Sequence, residues 1–293
     1  MKRKEKFIAF LPALLLASCF TVSCNKQNSG PAATEEQAAN TNNAAIAESE
    51  ANATFNAELE NVIGFSSDIG AGSGAGIMYN GNERGDSASH CFTVSVTPLT
   101  PGVFPKTVVI DFGKGCTGRG GVTRSGKVTT VYSGHLAIAG SSAVTTFQDY
   151  YVDSTQVEGA LTVTNKSTAS GFAFNVQVKD GKLSRPSGNY IHWSSNRNWV
   201  QFAGQETPFK LNDDSYHITG DASGTVKKDT NLVDYSALIT DALVRKASCR
   251  WITAGTLKFT IGATEGLLNF GDGECDNDAK LIVGGTTINI SLR

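Results

Sequence analysis

The sequence predicts an all-β fold, an antiparallel sandwich or wide barrel preceded by a short helix. Three observations carry that expectation. Apolar residues recur at every second position through much of residues 91–293. The chain's 31 glycines suit many tight turns and bulges. The four cysteines of this region fall into two similarly spaced pairs, Cys91 with Cys116 and Cys249 with Cys275. Alternation of period two gives each strand one packed face and one wet face, which is the habit of antiparallel sheets.

Residues 1–18 carry an address. Lys2, Arg3, Lys4 and Lys6 form a basic start, and the apolar run Phe7 to Leu16 is too short to span a bilayer as a mature helix. Leu16-Ala17-Ser18-Cys19 resembles the lipobox of bacterial lipoproteins, in which the Cys is acylated and becomes the new N-terminus. Cys24 is the competing position, which would extend the signal to residues 1–23. Cys19 has the better upstream match, with Leu16 three residues before it. Cys24 has the better downstream context in the polar Asn25-Lys26-Gln27. Two or more acyl chains would make the anchor stable.

Residues 19–46 read as a lipid-anchored tether, dominated beyond Asn25 by Asn, Gln, Ala, Ser, Gly, Thr and Glu, with Ile46 the first large aliphatic residue after the signal. Residues 47–90 read as a helix and a glycine-rich connector. Phe55, Leu59 and Val62 or Ile63 recur at helical spacing, with Glu48, Glu50, Glu58 and Glu60 elsewhere, so a short helix capping the domain is expected. Gly70-Ala71-Gly72-Ser73-Gly74-Ala75-Gly76 lacks both the preceding strand and the Gly-Lys-Ser/Thr of a phosphate loop, so it reads as a connector.

Residues 91–293 read as one antiparallel β domain. Phe92, Val94 and Val96 alternate with polar residues, as do Val108, Ile110 and Phe112. Phe172 to Val178 and Leu257 to Ile261 do the same, and Leu281, Val283, Ile288, Ile290 and Leu292 close the chain. Leu232 to Lys246 fits either a helix or a hairpin. Both cysteine pairs enclose the same order of features: Cys, alternation, a turn, more alternation, Phe-Gly-x-Gly, Cys. Their separations are 25 and 26 residues, which predicts Cys91–Cys116 and Cys249–Cys275 disulfides and would suit a duplicated β unit. No proline-rich linker divides this region.

The formal charge of −2 becomes −5 once the +3 of residues 1–18 is removed, and no Lys/Arg cluster remains. Nucleic acid and anionic headgroups are therefore not expected partners. Tyr190, Trp193, Arg197 and Trp199 are the densest aromatic and polar group, suited either to sugar stacking or to a sheet core. Asp272, Glu274, Asp276 and Asp278 alternate, a spacing that hard cations favour. An EF-hand-type calcium loop counted from Asp272 would need its twelfth ligand at Val283, so the cluster reads more simply as a solvated turn. No Gly-x-Ser-x-Gly or His-Glu-x-x-His occurs, and His90, His135, His192 and His217 are dispersed. Glycoside cleavage needs two carboxylates that distant strands can supply; Asp111, Glu158, Glu206, Asp213 and Asp214 are available.

Several phrases resemble a group of Bacteroidota lipoproteins: Phe104-Pro105-Lys106-Thr107, the run Ile110 to Gly118, Trp193-Ser194-Ser195-Asn196-Arg197, and the run Phe270 to Asn277. The resemblance covers residues 90–293 and implies an envelope compartment without implying a mechanism. The expectation is a lipid-anchored outer-membrane protein that binds or scaffolds, with a glycan or envelope protein as partner and no cofactor. A glycan hydrolase and a lipid carrier are the alternatives. Neither Phe20 nor Asn25 is the Asp that retains enteric lipoproteins at the inner membrane. Residues 25–34 also lack the acidic run associated with surface export, which favours the periplasmic face over the cell surface.

Overall fold

Alternation along the chain becomes a single continuous sheet. The computed structural model describes residues 33–71, 91–118, 121–169, 171–207 and 213–292. The signal, Cys19, Cys24, residues up to 32 and the connector from 72 to 90 lie outside the described residues. One helix, α1 (Glu35–Ala71), precedes fourteen strands. The first seven are β1 (Thr93–Thr97), β2 (Lys106–Asp111), β3 (Cys116–Thr117), β4 (Thr123–Tyr132), β5 (Ser142–Val152), β6 (Thr155–Asn165) and β7 (Ala173–Ser184). The rest are β8 (Tyr190–Ala203), β9 (Ser215–Lys228), β10 (Asn231–Lys246), β11 (Ile252–Ile261), β12 (Thr264–Asp272), β13 (Asp278–Val283) and β14 (Thr286–Ser291).

Each strand lies beside its neighbour in the chain, except that β4 pairs with β2 along most of its length and with the short β3 at its start. The ladders are antiparallel, as the alternation requires. Among the described residues the sheet neither splits into two layers nor closes into a barrel: β1 and β14 each have one partner there. Leu232–Lys246 is strand, not helix. It forms most of β10 because Val233, Tyr235, Ala237 and Ile239 all turn inward at period two.

Bulges curl the sheet. Register shifts occur between Ser125 and Lys127, Thr146 and Tyr151, Glu158 and Ala160, and Val178 and Gly181, so neighbouring strands bend at related levels. Gly126 shows what such a bulge demands. It has φ +83°, and a Cβ there would lie 1.9 Å from the Asp149 carbonyl oxygen, so only glycine fits without rearrangement.

The curl encloses α1. Ala33, just before the helix, abuts Gly284 between β13 and β14, and farther along α1 Phe55 packs on β7 and β8. Within one later turn, Glu58 meets Tyr150 of β5, Glu60 meets Arg245 of β10, and the Val62 carbonyl accepts from Tyr132 of β4. Five strand spacings in a flat sheet span about 24 Å, whereas one helix is about 10–12 Å wide. One turn can reach both sides because the sheet wraps it. The helix thus fills the concave face rather than capping the domain.

The helix also starts earlier than its apolar pattern indicates. Thr34 and Gln37 form a reciprocal capping box: the Gln37 amide donates to Thr34 Oγ1 at 3.2 Å, and the Thr34 amide donates to Gln37 Oε1 at 2.8 Å. Glu35 and Glu36 add favourable charge at the first turn. Residues 35–46, expected to belong to the tether, are therefore helical. Ala44, Ala45, Ala47 and Ala51 are buried and let the backbone approach the sheet.

Both disulfides close as expected, at Cys91–Cys116 and Cys249–Cys275. Each ties the open end of a hairpin, β1–β2 or β11–β12. The parallel extends to the turn before the second cysteine. Asp111 Oδ1 accepts from the Gly113 amide at 2.9 Å, and Asn269 Oδ1 accepts from the Gly271 amide at 2.8 Å. Between them Phe112 and Phe270 are both buried. The Phe-Gly-x-Gly phrase is therefore an Asx turn followed by a staple.

Candidate binding cleft

Strand β8 sorts its side chains cleanly. Ile191, Trp193, Ser195, Arg197, Trp199 and Gln201 are buried, while His192, Asn196, Asn198, Val200 and Phe202 are exposed. Trp193, Arg197 and Trp199 are 2%, 3% and 7% exposed, so they do not form the solvent-facing sugar platform weighed for them. Trp199 packs edge-on against Tyr216. Tyr190 is half-buried beside the ammonium groups of Lys182 and Lys227.

Glu48 gathers this group from the helix side. Its carboxylate accepts from Arg197 Nη2, from Trp193 Nε1 at 2.7 Å and from the Tyr235 hydroxyl at 3.2 Å. Arg197 Nη1 donates to Asn52 Oδ1 at 2.5 Å, and its guanidinium lies over the Trp193 ring. Phe55 also stacks on that indole at 5.5 Å and seats on Gly181, where a Cβ would come within 2.9 Å of the phenyl ring. Glu48 and Glu58 face the sheet, and both are buried. Burial and the Glu48 charge raise the Tyr235 pKa well above its usual value, and burial with the Glu58 charge does the same for Tyr150.

A cleft of about 730 Å³ opens along α1 from Glu48 to Glu60. Ser49, Asn52, Ala53, Asn56 and Glu60 pave its floor. Arg124 and the β5–β6 turn form one wall; Arg245, Trp251, Leu257 and Phe270 form the other. These walls come from strands far apart in sheet order, and Arg185 and Arg197 from the middle of the sheet also line the cleft. Its size falls in the range of small-molecule sites.

Charge in the cleft is matched. Arg185 binds Glu50 at 2.5 Å, Arg245 binds Glu60 at 2.6 Å, and Arg197 binds Glu48. Among the described residues, the lining atoms Ser49 Oγ, Arg197 Nε and Trp251 Nε1 are buried without a partner. Arg250 stands exposed at the rim, its guanidinium 5.9 Å from the Trp251 ring centre.

The other sequence candidates lie elsewhere. Asp272, Glu274, Asp276 and Asp278 are exposed along the β12–β13 connection, and Asp276 accepts from the Asp278 amide as a turn residue does. Among the described residues no three His, Cys, Asp or Glu side chains gather to hold a metal ion. Asp111 pairs with Lys127 at 3.0 Å, and the Gly113 amide followed by that ammonium holds its carboxyl below the usual range. Glu158 sits 3.9 Å from Lys182. Burial raises the Asp214 carboxyl, against the opposing bond from the Tyr216 hydroxyl. None of these acids lines the cleft.

The alternation around Trp193 and Trp199 already placed Arg197 on their face, a legible signal of burial. Arg124, Arg185, Arg245, Arg250 and Trp251 had no such signal, since only the curl brings them together. No protein-family model, no curated protein and no solved structure matches the chain.

Proposed function

We propose that this chain is a lipid-anchored outer-membrane protein whose domain faces the periplasm and binds a ligand in the cleft over α1. The cleft itself carries the reading, because its carboxylates are occupied. Glu48, Glu50 and Glu60 are ion-paired with arginines, Glu58 accepts from Tyr150, and Asp153 accepts from the Thr123 amide. A glycan hydrolase needs one carboxyl ready to give a proton and a second ready to attack or to activate water. A lipid carrier needs an apolar hollow, and α1 fills the concave face where an acyl chain would lie. Binding is what the arrangement supports best.

The anchor fits this geometry. Thr34 caps the helix ten residues after Cys24 and fifteen after Cys19, so the intervening chain reaches at most about 54 Å.

Fractionation of cells expressing the full chain tests the anchor. Cys19→Ala and Cys24→Ala are made singly and together; the double variant is expected in the soluble fraction with its fold intact. Retention of that variant in the membrane would reject lipid anchoring. Native mass spectrometry of the wild-type chain recovered from envelopes tests binding. A retained small molecule, lost when Ala53→Trp fills the cleft, is the expected result, and an empty chain would leave only scaffolding.

A further inference from the structure

Polar groups inside a protein are nearly always hydrogen-bonded, so unpartnered ones that share a cavity define what would complete it. Arg197 is the clearest case. Its side chain is 3% exposed, Nη2 is committed to Glu48 and Nη1 to Asn52, yet Nε has no acceptor among the described residues. Trp251 Nε1 can only donate, and the Ser49 hydroxyl can donate as well. All three residues line the cleft over α1. Among the described residues these three donors therefore lack an acceptor.

Charge narrows the class. Arg124, Arg185, Arg197, Arg245 and Arg250 line the cleft together with Glu48, Glu50, Glu58, Glu60 and Asp153, so the two signs balance. A dianion would meet five carboxylates. A neutral ligand would leave the guanidinium at the rim without a counter-charge. One carboxylate supplies two acceptor oxygens and a single charge, which suits Arg250 beside Trp251. Trp251, Ile252, Leu257 and Phe270 give the same wall an apolar surface that a ring or aliphatic body could cover.

We propose that the cleft over α1 binds a compact monocarboxylate with an apolar or ring-shaped body, its carboxylate toward Arg250 and Trp251. This rests on the binding reading of the same cleft. A sugar acid and the C-terminal residue of a peptide share that chemistry.

Tryptophan fluorescence and calorimetry on the full chain in detergent test it, with glucuronate and N-acetylleucine as the two probes. Glucose and inorganic phosphate are the controls. Saturable binding of at least one carboxylate is expected, and the one that binds identifies the source. Arg250→Gln and Trp251→Phe should each weaken it at least tenfold with circular dichroism unchanged. Arg250 is exposed, so its replacement leaves the fold in place. Three results would overturn the proposal: no binding by either carboxylate, which leaves water as the only occupant; equal binding of glucose or phosphate; or affinity unchanged in both variants. A neutral molecule retained on the envelope-derived chain would sink the carboxylate assignment while keeping the binding module.

Discussion

Glu48 and Arg197 show how a single pair can hold a helix inside a sheet. Both are buried, and the pair is completed by Trp193, Tyr235 and Asn52. Removing one partner of a buried pair strands the other charge, at a cost of about 3–5 kcal/mol. Glu48→Ala should therefore lower stability by that amount in urea unfolding. Glu48→Leu combined with Arg197→Met should recover most of the loss, since apolar replacements of both partners need no counter-charge. Stability of the double variant equal to or below that of the single one would show that the network contributes more than charge pairing. The tyrosines report the same interior. Tyr132, Tyr150, Tyr216 and Tyr235 have pKa values raised by burial above the usual value of about 10. Because the folded values are raised, the stabilisation is full below pH 10 and is lost as pH climbs above it. In an alkaline titration followed by tyrosinate absorbance, these four should ionise only together with loss of the sheet's circular dichroism.

At the scale of elements, the stapled hairpins β1–β2 and β11–β12 are the parts most legible beforehand. Cysteine spacing and the Phe-Gly-x-Gly phrase are local, and each Asx turn is made within three residues. Each disulfide closes a loop worth about 3–4 kcal/mol on the chain-entropy view. Cys249→Ala with Cys275→Ala should lower stability by that much in denaturant unfolding, and it should loosen the wall that holds Trp251. A loss far below that range would mean that the hairpin ladder alone fixes the two ends. Helix α1 was legible only in part. Phe55, Leu59 and Val62 announce it, but its first twelve residues carry almost no large apolar side chains and so show no helical period. The capping box at Thr34 and Gln37 was the available signal. The sheet supplies the apolar partner that this segment lacks.

At the scale of the whole molecule, the described strands form one open sheet around one helix. Residues 35–71 removed from the chain would expose Trp193, Trp199, Tyr235 and Phe259 along the concave face. Such a variant is expected to aggregate or to bind a hydrophobic dye strongly, and a monomeric, dye-silent sheet would show that α1 is dispensable. Sequence by itself determined the strands, their antiparallel pairing, the two disulfides and the presence of a helix, because period two, cysteine spacing and turn residues act over a few positions. Tertiary structure alone decided that the sheet stays open, that α1 lies within its curl and that Glu48 and Glu58 turn inward. It also decided which arginines meet over the helix. Those outcomes depend on accumulated bulges and on partners some 70–190 residues away, where no local pattern records which charge will face which.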